Sequence, residues 1–230
     1  MIKIENTDVY GFEAAIRGMR NPMNSWDKSD SHWGCDDIWC VECDKLNDCN
    51  HSYFVKAYSV GENDLKLMKN LSKAGTDHSK YLRMITVTCD ITAPLYWYKE
   101  FDTYKVGTVA NSCSTMHKIH DRPFTVHDFS YDHLMIDAKH NLNFCQVLED
   151  LVDILNSARN GYLDTGDKQY WWQMIQLLPS SYNQRRTVQL NYQVLKNMYH
   201  ARKTHKLDEW REFCNWCETL PYFKEICIDI

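Results

Sequence analysis

The sequence lacks an apolar run of about 18 residues or more, so it predicts no membrane-spanning helix. Its N-terminus also lacks the basic start and the apolar core of a secretory signal peptide. Basic residues are not in excess, because the formal net charge is -5, and this argues against a general nucleic-acid-coating protein. These absences predict a cytoplasmic protein that has neither a membrane nor a nucleic-acid polymer as its partner.

Nothing in the composition indicates a disordered chain. The 230 residues are 44% hydrophobic and 25% charged, which is enough apolar material for one substantial core. We therefore expect a single domain across residues 1–230, with a cysteine-rich insertion at about 21–55.

The insertion raises the question of a metal site. The chain has ten cysteines and no secretion signal, which predicts reduced thiols rather than a disulfide framework. Cys40 and Cys43 have the pair spacing of zinc ligands, and Cys35 with Cys49 or His51 would complete a tetrahedral set. The irregular outer spacings are equally consistent with incidental cysteines in a surface insertion.

The most informative stretch begins with a predicted strand. Apolar and polar residues alternate from Ile85 to Thr92, which is the period of an extended chain with one buried face. Pro94 then marks the start of a short helix. Residues 105–117 follow as a loop of small polar donors behind that helix. Loops held this way usually bind a ligand.

Residues 117–127 contain three histidines, His117, His120 and His127, together with Lys118 and Arg122. The histidines could indicate a metal site. Their scatter across Pro123 favours a solvated or interface loop instead.

Apolar periodicity predicts helices at 144–159, 168–177 and 183–206. In the last of these, Asn191 and Arg202 would share a stripe with Leu195 and Met198. Polar groups on an apolar stripe need partners. Either a buried hydrogen-bond network or a bound ligand would supply them.

Several of these residues together resemble a known family. The chain has Leu178-Pro179, then Thr187, Asn191 and Leu195, then Arg202 eleven residues after Asn191. A turn from Gly75 to His78 precedes the central strand, and Ala93-Pro94 joins that strand to the next helix. In these features the chain is similar to a divergent flavin-dependent thymidylate synthase.

The resemblance implies an α+β fold with a central antiparallel sheet flanked by helices, assembled as a homotetramer. It implies FAD as the cofactor and a pyrimidine nucleotide, dUMP, as the substrate. NADPH would reduce the flavin, and methylenetetrahydrofolate would supply the carbon for methylation of dUMP to dTMP.

The resemblance also implies roles for individual residues. His78, Asn191 and Asn197 match flavin-site positions, and we include Lys105 and Lys206 with them. Glu100, Ser114 and Arg202 match substrate positions, with Arg202 at the pyrimidine, and we add Arg185 as a further cation. His78, Ser114 and Arg202 are the residues that we expect to take part in catalysis.

The departures from the family pattern concern its arginines. The signature loop of the family has three basic residues, of which only Lys105 remains here. Ile175 replaces an arginine that binds the nucleotide phosphate in the family. Gln193 replaces an arginine that contacts the flavin. Each lost charge-assisted hydrogen bond is worth about 1.5–3 kcal/mol, so other cations must substitute if phosphate binding is retained. The candidates are Lys105, Lys118, Arg185 and Arg186.

Three functions are therefore open. The first is a working thymidylate synthase, and the second is an enzyme of the same fold that acts on a different nucleotide. The third is a non-catalytic binding or regulatory protein with a zinc-stapled segment. Cys113 is interpreted first as a small loop residue, and second as a thiol nucleophile beside Lys105.

Overall fold

A computed structural model describes residues 2–35 and 56–230. Its helices are α1 (Phe12–Arg20), α2 (Glu62–Lys73), α3 (Leu95–Phe101), α4 (Phe144–Thr165), α5 (Lys168–Leu177), α6 (Tyr192–Arg202) and α7 (Asp208–Cys217). Its strands are β1 (Lys3–Tyr10), β2 (His32–Cys35), β3 (Lys56–Ser59), β4 (Thr86–Pro94), β5 (Val109–Ser112), β6 (Ile136–Asp137), β7 (Leu142–Asn143) and β8 (Asn183–Asn191). Among these described residues, every helix is too short or too polar to cross a bilayer.

The chain divides into two compact units. The first unit runs from the chain start to Thr7 and adds Thr88–Gln189 and Arg202–Asn215. The second unit comprises Asp8–Val87, Leu190–Ala201 and Trp216–Ile230. That residues 1–230 form one domain stays a prediction.

The first unit holds most of a four-stranded sheet in the order β1-β4-β8-β5. β5 pairs antiparallel with β8 and places Ser112 opposite Arg186. The predicted α+β class with a central antiparallel sheet and helices is confirmed. The polar loop predicted at 105–117 is not all loop, because β5 lies within it.

β4 and α3 follow the prediction closely. Val87, Cys89 and Ile91 are buried on one face of β4, and the residues between them are half-exposed. Pro94 is the N-cap of α3, which buries Tyr98 and Phe101. These two side chains belong to an aromatic cluster of the first unit that also contains Trp97, Trp210 and Phe213.

The helix predicted at 183–206 is wrong over its first nine residues. Asn183–Asn191 is the strand β8, in which Gln184, Val188 and Leu190 are buried. The helical spacing and the strand alternation are both present in this segment, and pairing with β5 selects the strand. The predicted helix forms only over Tyr192–Arg202, as α6, and it ends four residues earlier than predicted.

α4 is also longer than predicted. The helix passes through Gly161 and ends at Gly166, whose φ of 69° is the left-handed conformation of a helix C-terminus. Gly161 instead makes room for a neighbour, since a Cβ there would lie 2.7 Å from the ring of Tyr170. Its role is close packing rather than termination.

An apolar cluster lies between α4, α5 and the loop that precedes them. Its buried members are Ile119, Phe124, Phe129, Leu148, Val152, Leu155, Ala158 and Met174. Ile175 packs against this cluster. Ile175 therefore packs among apolar side chains, although the resemblance leads us to expect a phosphate-binding arginine at this position.

In the second unit, a buried ion pair joins α1 to α2. Arg20 Nε donates to Asp64 Oδ1 at 2.6 Å, and both side chains are at most 5% exposed. Asp64 Oδ2 also accepts from the hydroxyls of Ser29 and Ser31, each at 2.7 Å. Burial would raise the pKa of Asp64, but these hydrogen bonds and the charge of Arg20 outweigh it, so the pKa is lowered.

Candidate functional site

A polar cleft of about 310 Å³ opens in the first unit where the start of β8 meets the loop after β5. It is lined by Thr92, Cys113, Ser114, Thr115, Lys118, Arg122, His127, Asp128, Tyr182, Asn183, Gln184 and Arg185. Among them are three cations, two amides, several hydroxyls and a thiol. The lining is suited to a ligand that is both anionic and rich in hydrogen-bonding groups.

The start of β8 fixes the loop that forms one wall of the cleft. The Cys113 backbone N–H donates to the carbonyl oxygen of Arg185 at 2.9 Å. The Cys113 carbonyl oxygen accepts from Gln184 Nε2 at 2.8 Å, and Gln184 is itself buried. With its backbone held on both sides, Cys113 lines the cleft with an exposed thiol.

Ser114, one of the predicted catalytic and substrate residues, lies in this cleft. Its Oγ accepts from the backbone N–H groups of Met116 at 3.2 Å and His117 at 3.0 Å. These two bonds form a serine turn that shapes the loop. The hydroxyl proton is not used in these two bonds, so Ser114 can still donate to a ligand.

The cleft's Arg122 and Asp128 form a two-pronged ion pair. Both terminal nitrogens of Arg122 donate to the Asp128 carboxylate, which also accepts from the backbone N–H of Thr125 at 2.8 Å. Burial would raise the pKa of Asp128, but the bonds from Arg122 and Thr125 prevail and lower it. Asp128 therefore stays ionised and holds the guanidinium plane in place.

Arg185 and Arg186 leave β8 on opposite faces, as the period of a strand requires. Arg185 Nη2 donates to Asp90 Oδ2 at 2.6 Å, and Thr187 Oγ1 donates to Asp90 Oδ1 at 2.5 Å. Bonds from Thr187, Arg185 and Asn6 lower the pKa of Asp90. Arg185 lines the cleft, and its role as a substrate residue stays a prediction.

Arg186 binds other side chains of the first unit instead of lining the cleft. Its guanidinium lies 3.7 Å from the centre of the Tyr98 ring, and Nη1 donates to Asp102 Oδ1 at 2.7 Å. Of the four cations proposed to replace the lost arginines, Lys118 and Arg185 line the cleft. Arg186 is committed to Tyr98 and Asp102.

Glu100 and Arg202, both predicted to bind substrate, contact each other in the first unit. Arg202 Nη1 donates to Glu100 Oε2 at 2.5 Å, and Arg202 Nε donates to the Tyr104 hydroxyl at 3.0 Å. The guanidinium also stacks on the Trp210 ring at 4.9 Å. The structure thus satisfies Arg202 by a protein network, which is one of the two alternatives that its position left open.

His205 completes this network. Leu207 donates its backbone N–H to His205 Nδ1 at 3.2 Å, so in the neutral ring Nε2 carries the proton. That nitrogen lies 3.4 Å from Glu100 Oε2, which also accepts from Trp210 Nε1 at 3.2 Å. One carboxylate oxygen is therefore shared by three donors.

Three predicted flavin residues lie in the second unit. Asn191 Oδ1 accepts from the Val194 backbone N–H at 3.0 Å at the start of α6, and Asn197 Oδ1 accepts from Gln193 Nε2 at 3.1 Å. Gln193 is buried and also accepts from the Ser79 hydroxyl at 3.2 Å. His78 is exposed in the turn before Ser79.

Other predicted residues are less informative. Lys105 and Lys206 are exposed in the first unit. The metal prediction at Cys35, Cys40, Cys43 and Cys49 stays a prediction, because the last three lie outside the described residues and the Cys35 side chain is not described. Elsewhere in the described chain, no His, Cys, Asp and Glu side chains cluster in a way that could hold a metal ion.

Sequence reasoning missed a large part of the cleft. Arg122 and His127 line it, although the segment 117–127 was interpreted as a solvated or interface loop. Asp128, Asn183 and Gln184 were also missed. The sequence contains only weak signals for these residues. Asn183 is a polar residue at the first position of a strand, and Arg122 lies six residues before Asp128.

Comparison with known proteins identifies the fold. No family model and no curated protein sequence matches the chain. Two solved structures of the flavin-dependent thymidylate synthase ThyX from Helicobacter pylori, each with FAD and dUMP, match with a TM-score of 0.65. One is 14% identical and covers 99% of this chain and 98% of its own; the other is 13% identical, with 100% and 98% covered. The chain therefore has the fold of these enzymes.

Proposed function

We propose that the chain is a flavin-dependent thymidylate synthase-like enzyme that binds a pyrimidine nucleotide in the polar cleft. The observation that carries this proposal is the cleft itself: a chain with the fold of enzymes that were solved with FAD and dUMP builds a polar cleft from the loop after β5 and the start of β8. Fold alone does not determine function, so the proposal depends on the chemistry of the cleft.

The size of the cleft favours a mononucleotide. Small-molecule sites usually enclose about 300–1,000 Å³, and this cleft of about 310 Å³ is at the lower end of that range. FAD is a dinucleotide, so it needs about twice the volume of a mononucleotide. The cleft is therefore assigned to the substrate and not to the cofactor.

The fit of FAD to this chain rests on the fold rather than on side chains. Both predicted flavin amides, Asn191 and Asn197, use their oxygen atoms within α6, and Gln193 is tied to Ser79. The other predicted flavin residues are exposed: His78 in the second unit, and Lys105 and Lys206 in the first. Each of them stays a candidate flavin contact. FAD would supply the hydride chemistry, with NADPH and methylenetetrahydrofolate as co-substrates.

The task of this chain's own residues is to position the pyrimidine nucleotide. Two hydrogen bonds hold the backbone of Cys113, and the serine turn at Ser114 shapes the residues that follow. Together they fix one wall of the cleft. Preorganised donors bind without an ordering cost at the moment of binding. Ser114 is expected to donate its hydroxyl proton to the nucleotide.

We further propose a homotetramer, as the resemblance implies. On α4, Phe144, Val147 and Ile154 are 40%, 63% and 52% exposed, and the spacing of Val147 and Ile154 places them on one face. A row of large apolar side chains that are exposed in one chain is typical of a protein-protein interface. The row supports self-assembly through α4.

One observation favours a second candidate, an enzyme of this fold that acts on a different nucleotide. Glu100 stands where a glutamine is expected near the nucleotide, and it holds Arg202, the expected pyrimidine ligand, in an ion pair. A carboxylate accepts hydrogen bonds only, whereas an amide also donates. We infer that the base preference of this chain depends on a carboxylate at position 100, whereas the family pattern has an amide at that position.

The test combines cofactor and substrate. Protein incubated with FAD and desalted should keep the visible flavin absorption, and calorimetric titration with dUMP should show one site per chain. Retained flavin without dUMP binding, but with binding of another pyrimidine nucleotide, would establish the second candidate. Protein that binds neither FAD nor any pyrimidine nucleotide would refute the enzyme proposal in favour of the non-catalytic one.

A further inference from the structure

The three cations of the cleft come from two segments of the chain. Lys118 and Arg122 lie in the loop after β5, and Arg185 lies in β8. None of them occupies a position at which the resemblance places an arginine. Ile175, at the position where the resemblance places a phosphate-binding arginine, packs against the apolar cluster.

Lys118 is free to change partner. It pairs with Asp121 at 3.1 Å, but the two side chains are 71% and 48% exposed. Exposed pairs of this kind contribute little, because water and salt screen them. The ammonium group can therefore turn to an anion in the cleft at small cost.

The two arginines are held by carboxylates that have other partners. Asp128 is fixed by Thr125, and Asp90 by Thr187 and Asn6. Arg122 gives two donors to Asp128, and Arg185 gives one to Asp90. A guanidinium has further N–H donors, so each arginine can bind an anion while its carboxylate keeps it oriented.

Asn183 adds a group that needs a partner. Its Oδ1 atom is buried and, among the described residues, has no hydrogen-bond donor. A buried acceptor without a donor is unfavourable, and a bound molecule is one way to satisfy it. Asn183 lines the cleft and lies two residues before Arg185, which is about 6.5 Å along a strand.

We propose that Lys118, Arg122 and Arg185 bind the phosphate of the pyrimidine nucleotide, and that Asn183 accepts a hydrogen bond from its base. This rests on the proposed function, and it names a phosphate site that this chain has built from new positions. A uracil ring offers an N–H group to Asn183, and a phosphate monoester offers a dianion to the three cations.

The test compares dUMP with deoxyuridine, which lacks the phosphate, by calorimetry. Wild-type protein should bind dUMP much more tightly than deoxyuridine, and only the dUMP affinity should fall with added salt. Lys118→Met should weaken dUMP binding about tenfold or more and leave deoxyuridine binding unchanged. Lys99→Met, an exposed cation of α3 outside the cleft, is the matched control and should change neither affinity.

Asn183→Ala tests the base contact. The variant should bind dUMP about tenfold more weakly while its own melting temperature is unchanged or raised, because the unsatisfied acceptor has been removed. Purely structural damage would lower the melting temperature together with the affinity.

The outcomes separate the two proposals. If dUMP binds the wild-type protein but Lys118→Met, Arg122→Gln and Asn183→Ala bind it equally well, the phosphate site is wrong and the proposed function stands. If the wild-type protein binds neither dUMP nor FAD, both proposals are wrong. Equal affinity for dUMP and deoxyuridine would overturn the phosphate site alone.

Discussion

Replacing Asp64 should destabilise the second unit strongly. Asp64 is 0% exposed and accepts hydrogen bonds from Arg20, Ser29 and Ser31. Asp64→Ala leaves the Arg20 charge buried without its partner, which typically costs about 3–5 kcal/mol of unfolding free energy. Asp64→Asn keeps the shape but loses the charge, and we expect a loss of about 1.5–3 kcal/mol.

The assay is urea denaturation followed by far-ultraviolet circular dichroism. A double variant, Arg20→Met with Asp64→Leu, removes both charges and should recover most of the stability lost in Asp64→Ala, because no unpaired charge remains. A loss below about 1 kcal/mol for Asp64→Ala would refute the reasoning, since it would mean that Arg20 finds water or another partner.

The same carboxylate predicts the direction of the pH dependence. Because the folded-state pKa of Asp64 is lowered from the unfolded value of about 3.9, the folded protein binds the proton less readily than the unfolded chain. The stability from this group is complete above the unfolded pKa and is lost as the pH falls through the folded one. Wild-type protein should therefore lose stability in acid more steeply than Asp64→Asn does.

Three further predictions concern the site and its surroundings. Glu100 and Arg202 are not among the residues that line the cleft, so Glu100→Gln should leave the dUMP affinity measured by calorimetry unchanged; a raised affinity would place Arg202 at the base and favour the second candidate function. Ile154→Glu should lower the oligomer mass measured by light scattering, whereas the exposed and already polar Glu149→Gln should not. Iodoacetamide should label the exposed Cys113 and Cys145, and dUMP should protect only Cys113 in peptide mapping; equal protection of both would exclude the cleft as the nucleotide site.

The sequence predicted those helices and strands that depend on neighbouring residues in the chain, such as β4 and α3. The alternation before Pro94 and the proline itself define β4 and α3 without help from the rest of the chain. β8 could not be predicted in this way. Its residues fit helical spacing, and pairing with two strands that lie more than seventy residues earlier, β4 and β5, makes them extended.

The same division applies to the candidate site. Ser114 and Arg185 were predicted and do share the cleft. Asn183 was assigned to a helix, so its place at the start of a strand could not be foreseen. Arg202 was predicted at the pyrimidine, but its partner Glu100 lies 102 residues earlier, and that ion pair becomes visible only in three dimensions.

The opposite faces of Arg185 and Arg186 have an evolutionary consequence. If a single residue were inserted or deleted in β8, the side chains beyond it would change faces, and an arginine would leave the cleft for the Tyr98 ring. Such a change would alter ligand binding and interior packing in one step. Relatives of this chain should therefore vary in length before or after β8, and keep its nine residues free of insertions and deletions.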